Sequence, residues 1–291
     1  MRPAPALVRM SRLPTVGHHL LIVPLLAVLS VFFVVPYANM VAISLMEASH
    51  RAAYVPVFTI SNYTSLIESR FTWGVIWHTL WLGVLTTAIC LVVSYPIAWQ
   101  MARANSRTRA ALMTLVIAPL LVGVLIRTYG WMILLQDSGI INQLLRAMGF
   151  APLHLMYNDT GVVIGLTHVF IPFMVLPIAS TIQSIDPELE LAARNLGAGP
   201  WRSFRRVVLP LSLPGVMAGT VLVFVLAVSS YVIPQLLGGF TVLTVPVLVI
   251  HTISELFNWP GGSAFAVLFF VITALVIWFY LRTIGRVTHA G

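Results

Sequence analysis

The sequence contains no lysine, a single cysteine and only 8 acidic residues in 291. Charged residues make up 8% of the chain, where a soluble domain carries roughly 25%. A water-facing surface cannot be built from so few charges, so the solvent for most of the chain is lipid. Cys90 stands alone inside an apolar run, which excludes an intrachain disulfide and a Cys/His metal site. Without lysine there is no GxxxxGK[ST] phosphate loop, and no Ser-His-Asp or His/Cys/Asp constellation stands in its place. These absences point to a chain with no catalytic residues, no metal site and no cofactor of its own.

What is abundant is apolar. Hydrophobic residues make up 59% of the chain and the mean hydropathy is +0.97. At roughly 20 apolar residues per helix, the length suits about six spans. The apolar runs place them near residues 20–46, 73–101, 110–135, 160–182, 213–237 and 263–284. The net charge is +8, every basic residue among Lys and Arg is arginine, and most of these arginines lie in short segments between the runs. They read as topology signals and headgroup contacts, not as a nucleic-acid surface. With the N-terminus inside, the inner segments hold Arg2, Arg9, Arg12, Arg103, Arg107, Arg109, Arg194, Arg202, Arg205, Arg206, Arg282 and Arg286. The outer segments hold Arg51, Arg70 and Arg146. This excess of inside arginine predicts an all-α, multi-pass protein of a bacterial inner membrane with both termini cytoplasmic. The expected organisation is a cytoplasmic segment over 1–19, a first helix and outer loop over 20–72, a core over 73–284 and a tail over 285–291.

Trp73, Trp77 and Trp81 recur every four residues at one end of the second span, and Trp99 marks its other end. Two aromatic belts are expected of a spanning helix. Prolines and glycines inside several spans, among them Pro119, Gly123, Pro172, Pro177, Pro214 and Pro234, predict bends that can line a cavity. The outer loop 238–262 contains an apolar stretch, Val245 to Phe257, with His251 and Glu255 at i, i+4. It is too short to span and predicts a helix dipping into the outer interface. The sequence shows no convincing internal repeat.

The most informative segment is the loop 184–210 between the fourth and fifth spans. Asp186 can cap a helix whose first turn holds Pro187, Glu188 and Glu190. Leu189, Ala192, Ala193 and Leu196 form an i, i+3, i+4, i+7 stripe, and Gly197 suits a left-handed helix end. Pro200 can start a second helix, with Trp201, Phe204 and Val208 on one face and Arg202, Arg205 and Arg206 on the other. Pro210 and Pro214 are expected to end it and turn the chain into the fifth span. A loop that merely reverses the chain is usually short. Two separately capped helices with an Ala-Ala face suit docking against another protein.

The spacing Ala192-Ala193-x-x-x-Gly197, nine residues, then Val207-x-Leu209-Pro210 resembles the cytoplasmic EAA signature of ATP-binding-cassette (ABC) importer permeases. One departure is Leu191 where the signature has glutamate, with Glu190 one residue earlier. Leu125 to Trp131, Asn195 to Ala198 and Asn258 to Ala264 are similar to the spermidine/putrescine-type branch. The resemblance covers about residues 20–284. It implies the type I importer (MetI-like) fold, with five of six helices forming a shared core. It also implies a pseudo-twofold pair with a second, homologous permease subunit, a heterodimer being favoured. An ABC ATPase dimer that binds ATP and Mg, and a periplasmic solute-binding protein, complete the assembly. The ATPase-coupling residues it implies are Glu188, Glu190, Ala192, Ala193, Arg194, Gly197, Arg202, Leu209 and Pro210.

A small polar solute needs a path through the lipid. A cationic, polyamine-like cargo needs carboxylates or aromatic faces. The candidates near the outer mouth are Tyr129, Trp131, Asp137, Asp159, Tyr231 and Glu255. Arg127 is the one charge inside a span, where it would gate the path or pair with Asp137 or Asp159. An arginine in that layer suits an anionic or zwitterionic cargo instead, so the residues leave the sign of the cargo open. Relatives in the branch carry opines, phosphonates and other small polar solutes. The alternative reading is an ion-gradient-driven secondary transporter. That class places ionisable residues at the midplane and shows inverted repeats, whereas the carboxylates here lie at span ends or in loops.

Overall fold

The computed structural model describes residues 16–49 and 52–288. Most of the expected N-terminal segment with Arg2, Arg9 and Arg12, together with Arg51 and residues 289–291 of the tail, lies outside the described residues. Helix α1 (Val16–Ser44) leads into a small antiparallel hairpin, β1 (Met46–Glu47) and β2 (Val55–Phe58), and then α2 (Ser61–Glu68). The longest helix is α3 (Arg70–Arg103), followed by α4 (Ser106–Ile117), α5 (Val124–Leu135) and the short α6 (Ile140–Ala147). Next come α7 (Asp159–Ser184), α8 (Pro187–Asn195), α9 (Pro200–Ser203) and α10 (Leu209–Val228). The chain closes with α11 (Val245–Ser254) and α12 (Trp259–Thr288).

Helices α3, α7 and α10 pack on one another and form the centre of the bundle. In lipid the apolar effect does not drive helices together, so close van der Waals fit must do so. The small residues at this seam allow that fit. A Cβ placed on Gly83 of α3 would lie 2.4 Å from Val228 Cγ1 and 3.2 Å from Phe224 of α10. Leu166, Met174, Val175, Ile178 and Ile182 of α7 are almost fully enclosed in the same core. Helix α12 packs mainly on α11 and α1, and its Tyr280 donates to Thr220 Oγ1 of α10, whose own proton goes to Val216 O. Residues 28–37 of α1 are exposed on every side, as expected of a helix whose solvent is hydrocarbon.

Among the described residues, five helices are long and apolar enough to cross a membrane, or six if the bent pair 106–147 counts as one span. The third span is not the continuous helix expected over 110–135. The axis turns by 97° between Ser106–Leu121 and Val124–Ala147. Pro119 enters a 3₁₀ turn at Ala118–Leu121, and Val122 and Gly123 are extended. A proline ring and a missing N–H at this point end the α-helical ladder. The fifth span also differs. It stops at Val228, where Ser229 Oγ donates to Val225 O, and Pro234–Gly238 form a separate π turn. At the start of that span Pro210 and Pro214 do not end a helix. Pro200–Val228 is one continuous rod with a π turn at Phe204–Val208. In that turn Leu209 N–H reaches back five residues to Phe204 O, and the wider turn gives room to the Pro210 ring. The short helix expected in the loop 238–262 is present as α11, set between α12 and α3.

The seam at Gly83 gives a direct stability test. Gly83→Val overpacks a contact against two side chains of α10, which costs about 1–3 kcal/mol. The purified variant should melt below wild type in a detergent thermal-shift assay. Gly74→Val, one face away on the same helix with open space around its Cβ, should melt close to wild type.

Candidate functional site

The candidate residues fall at the two ends of the bundle. At the end where α10 finishes and α7 and α12 begin, the structure brings Tyr231 and Glu255 together. Both line a cavity of about 290 Å³ with Gln235, Phe240, Leu243 and His251. Glu255 Oε2 accepts from His251 Nε2 at 2.9 Å, one turn earlier on α11. Asp159 and Asp137 are elsewhere. Asp159, first residue of α7, faces His78 Nε2 of α3 at 3.0 Å. His78 Nδ1 faces Leu243 O at 3.1 Å, so one imidazole ties α3, α7 and the loop before α11. Asp137 pairs with His154 at 3.1 Å on the exposed surface. Tyr129 is exposed on α5, and Trp131 donates its indole N–H to His168 Nδ1 of α7 at 3.0 Å.

Arg127 therefore makes neither of the ion pairs expected of it, because both acids are held by histidines. Its Nε and Nη1 are shut from solvent without a hydrogen-bond partner. It lies on the first turn of α5, just past the 97° bend, which carries it away from Asp137 at the far end of that helix.

The opposite end carries α8 and α9. Asp186 caps α8 by accepting from Glu188 N–H at 2.9 Å, and Pro187 occupies the first turn. The C-terminus closes with two bonds, Gly197 N–H to Arg194 O at 2.9 Å and Ala198 N–H to Ala193 O at 3.0 Å. That reciprocal pattern needs a left-handed residue, and Gly197 has φ +83°. Both ends of this small helix are thus capped by its own neighbours, which lets it stand outside the bundle.

Arg103, the last residue of α3, fixes where α8 stands. Its Nη1 donates to Ile185 O at 3.2 Å, and its Nη2 pairs with Glu190 Oε1 at 2.5 Å. The Glu190 side chain is only 14% exposed, so it is bound inward rather than offered to a partner. Leu191, the departure from the signature, is rotated outward beside it and is exposed. Below α9, Phe204 contacts three rings: Trp201 stacked at 5.4 Å, Trp99 at 5.7 Å and Tyr95 edge-on at 5.6 Å. The Tyr95 hydroxyl donates to Ser212 Oγ at 2.7 Å, since Ser212 spends its proton on Leu209 O.

The outward surface of this helix pair is made of Glu188, Leu189, Leu191, Ala192, Arg194, Leu196, Gly197, Trp201 and Arg202, all exposed. Ala193 is half-buried against the base. Leu209 and Pro210 do not belong to that surface but to the foot of α10 beneath it. Sequence reasoning missed Arg103 as an anchor, because its partners lie 82 and 87 residues away and leave no local pattern. It also missed His78, Gln235 and Phe240, whose neighbours come from other elements. Breaking the Arg103 contact leaves a poorly solvated carboxylate at Glu190. Arg103→Gln should raise hydrogen–deuterium exchange of the amides of residues 187–196 by about tenfold while exchange in α7 stays unchanged.

Residues 94–288 match the family described as the inner membrane component of binding-protein-dependent transport systems. The chain is 37% identical over 255 residues to the spermidine/putrescine transport system permease protein PotB of Haemophilus influenzae, covering 87% of this chain and 89% of that one. It is 32% identical to the Escherichia coli K12 protein of the same name over 264 residues, covering 90% and 96%. Among solved structures, a chain of the bacterial alginate ABC transporter in complex with an alginate pentasaccharide-bound periplasmic protein superposes with TM-score 0.75 at 18% identity, covering 92% and 95%. A chain of the inward-facing MetNI methionine ABC transporter superposes with TM-score 0.56 at 19% identity, covering 73% and 94%. The family match, the identity to these relatives and the shared fold lead to one conclusion: the chain belongs to the binding-protein-dependent inner-membrane permeases and is a permease subunit of an ABC importer.

Proposed function

We propose that this permease carries a polyamine of the spermidine/putrescine class across the inner membrane, and that α8 and α9 receive the driving force from a separate ATPase dimer. The cargo class is supported by the names of the PotB relatives, which match along most of the chain. The reading of the helix pair rests on one observation: α8 is capped at both ends, anchored by Arg103 and exposed on its outer face. The apolar side chains Leu189, Leu191 and Leu196, with Trp201 of α9, are exposed among the described residues. A separate subunit with a groove for a short helix would cover them.

On this reading the α8 end faces the cytoplasm, in keeping with the arginine distribution. The domain division is then 1–19, 20–72, 73–284 and 285–291. ATP and Mg are bound by the partner, and no chemical step falls to this chain. Closure of the ATPase dimer would move α8 and α9, and the continuous rod into α10 would carry that motion into the core. A second, different permease subunit would complete the pathway, and a periplasmic binding protein would deliver the cargo. Tyr231 and Glu255 would lie at the outer mouth, while Arg127, Tyr129 and Trp131 would line the approach along α5.

Reconstituted with its partner subunits in proteoliposomes, the complex should import putrescine or spermidine in an ATP-dependent manner. Gly197→Asp puts a charged side chain into the docking face and a strained backbone at the left-handed position, at a cost of about 1 kcal/mol. It should lower cargo import at least tenfold relative to ATP hydrolysis, measured on the same vesicles. Import that stays coupled in this variant would contradict the role given to α8.

A further inference from the structure

The cavity at the end of α10 contains a histidine paired with the carboxylate of its own lining. It lies between the segment 231–243 and α11, at the end opposite α8. Glu255 is the one carboxylate in its lining, and Tyr231 and Phe240 give it two aromatic rings. Gln235 adds an amide. This is the donor set that an alkylammonium group needs: an anion to accept its N–H protons and ring faces against its charge. Oε2 of Glu255 is occupied by His251 Nε2 at 2.9 Å. The space of about 290 Å³ suits one end of a thin, flexible diamine.

We infer that this cavity binds the primary ammonium end of the cargo on Glu255, and that His251 is a built-in donor to that carboxylate which the ammonium displaces. The inference rests on the polyamine reading above and adds a site and a positioning residue to it. His251 and the ammonium both donate to the same carboxylate, so they compete.

The other groups facing the pair do not replace this competition. Tyr231 is the remaining ionisable side chain of the lining. From α3, His78 reaches the Leu243 carbonyl and is already matched with Asp159. Helix α12 carries no ionisable side chain from Trp259 to Phe279. Nothing else charged among the described residues pairs with His251 or Glu255.

The test measures equilibrium binding of putrescine to the nanodisc-embedded complex of permeases and ATPases, without the periplasmic receptor. Wild type should bind putrescine and not the neutral analogue 1,4-butanediol. Glu255→Gln should weaken binding about tenfold, the loss expected for a charge-assisted hydrogen bond. His251→Gln should tighten it several-fold, whereas His251→Arg, a permanent cation beside the same carboxylate, should weaken it. A purely structural role for His251 would move both variants in the same direction and would overturn the inference. So would unchanged affinity in Glu255→Gln, or equal binding of the diol. Import of putrescine by the wild-type complex with its receptor, alongside such results, would leave the cargo reading standing and reject only this site. Import of a different solute and no putrescine would reject the cargo reading and the site together.

Discussion

Arg103 is the residue on which the arrangement of the α8 end depends. It ends α3, holds the carbonyl that ends α7 at Ile185, and pairs with Glu190 of α8. One guanidinium thus fixes a small water-exposed helix to two of the three central helices. Arginine suits the task because its planar fork offers several donors in fixed directions. The third central helix is reached by a different route. Helix α9 runs through a π turn into α10 without a break, braced by Phe204 among Trp99, Trp201 and Tyr95. Force applied to the helix pair therefore acts on α3, α7 and α10 together.

The bundle itself is built for close approach rather than for apolar collapse. Gly83 lets α10 lie directly on α3, and Thr220 and Tyr280 tie α12 to α10 by a hydrogen bond inside the apolar zone. The two π turns that flank α10 each contain or precede a proline, Pro234 and Pro210. Such turns are common where a helix must accommodate a local irregularity tied to function. At the end opposite α8, histidine–carboxylate contacts do the joining. His78 links three elements there, and His251 closes over Glu255 within α11.

Much of this was legible in the sequence, because its signals are local. The apolar runs located the membrane helices, and α1, α3, α7 and α12 fall where hydropathy put them. Asp186, Pro187 and Gly197 announced both caps of α8, since capping depends on a few neighbouring residues. Local proline chemistry was a poorer guide. Pro119 with Gly123 broke the third span far more sharply than a simple bend, while Pro210 and Pro214 were absorbed into a continuous helix. The difference lies in the backbone around them: Val122 and Gly123 are free to extend, whereas the π turn at 204–208 makes room for a ring. Long-range pairing was not legible at all. Arg127 looked like the partner of Asp137 or Asp159, but packing gave those acids to His154 and His78. Nothing in a short window could show that Arg103 would choose Glu190, or that Gln235 and Phe240 would join Tyr231 and Glu255.

The central claim is that the outward face of α8 and α9 meets an ATPase subunit. Placing a photo-crosslinking residue at Leu191 or at Trp201 in the assembled complex tests it most directly. The account predicts a light-dependent adduct between this chain and the ATPase at both positions, absent when the probe stands at lipid-facing Trp77. Adducts only with the second permease or the periplasmic receptor, or none from either position in a complex that hydrolyses ATP, would contradict it.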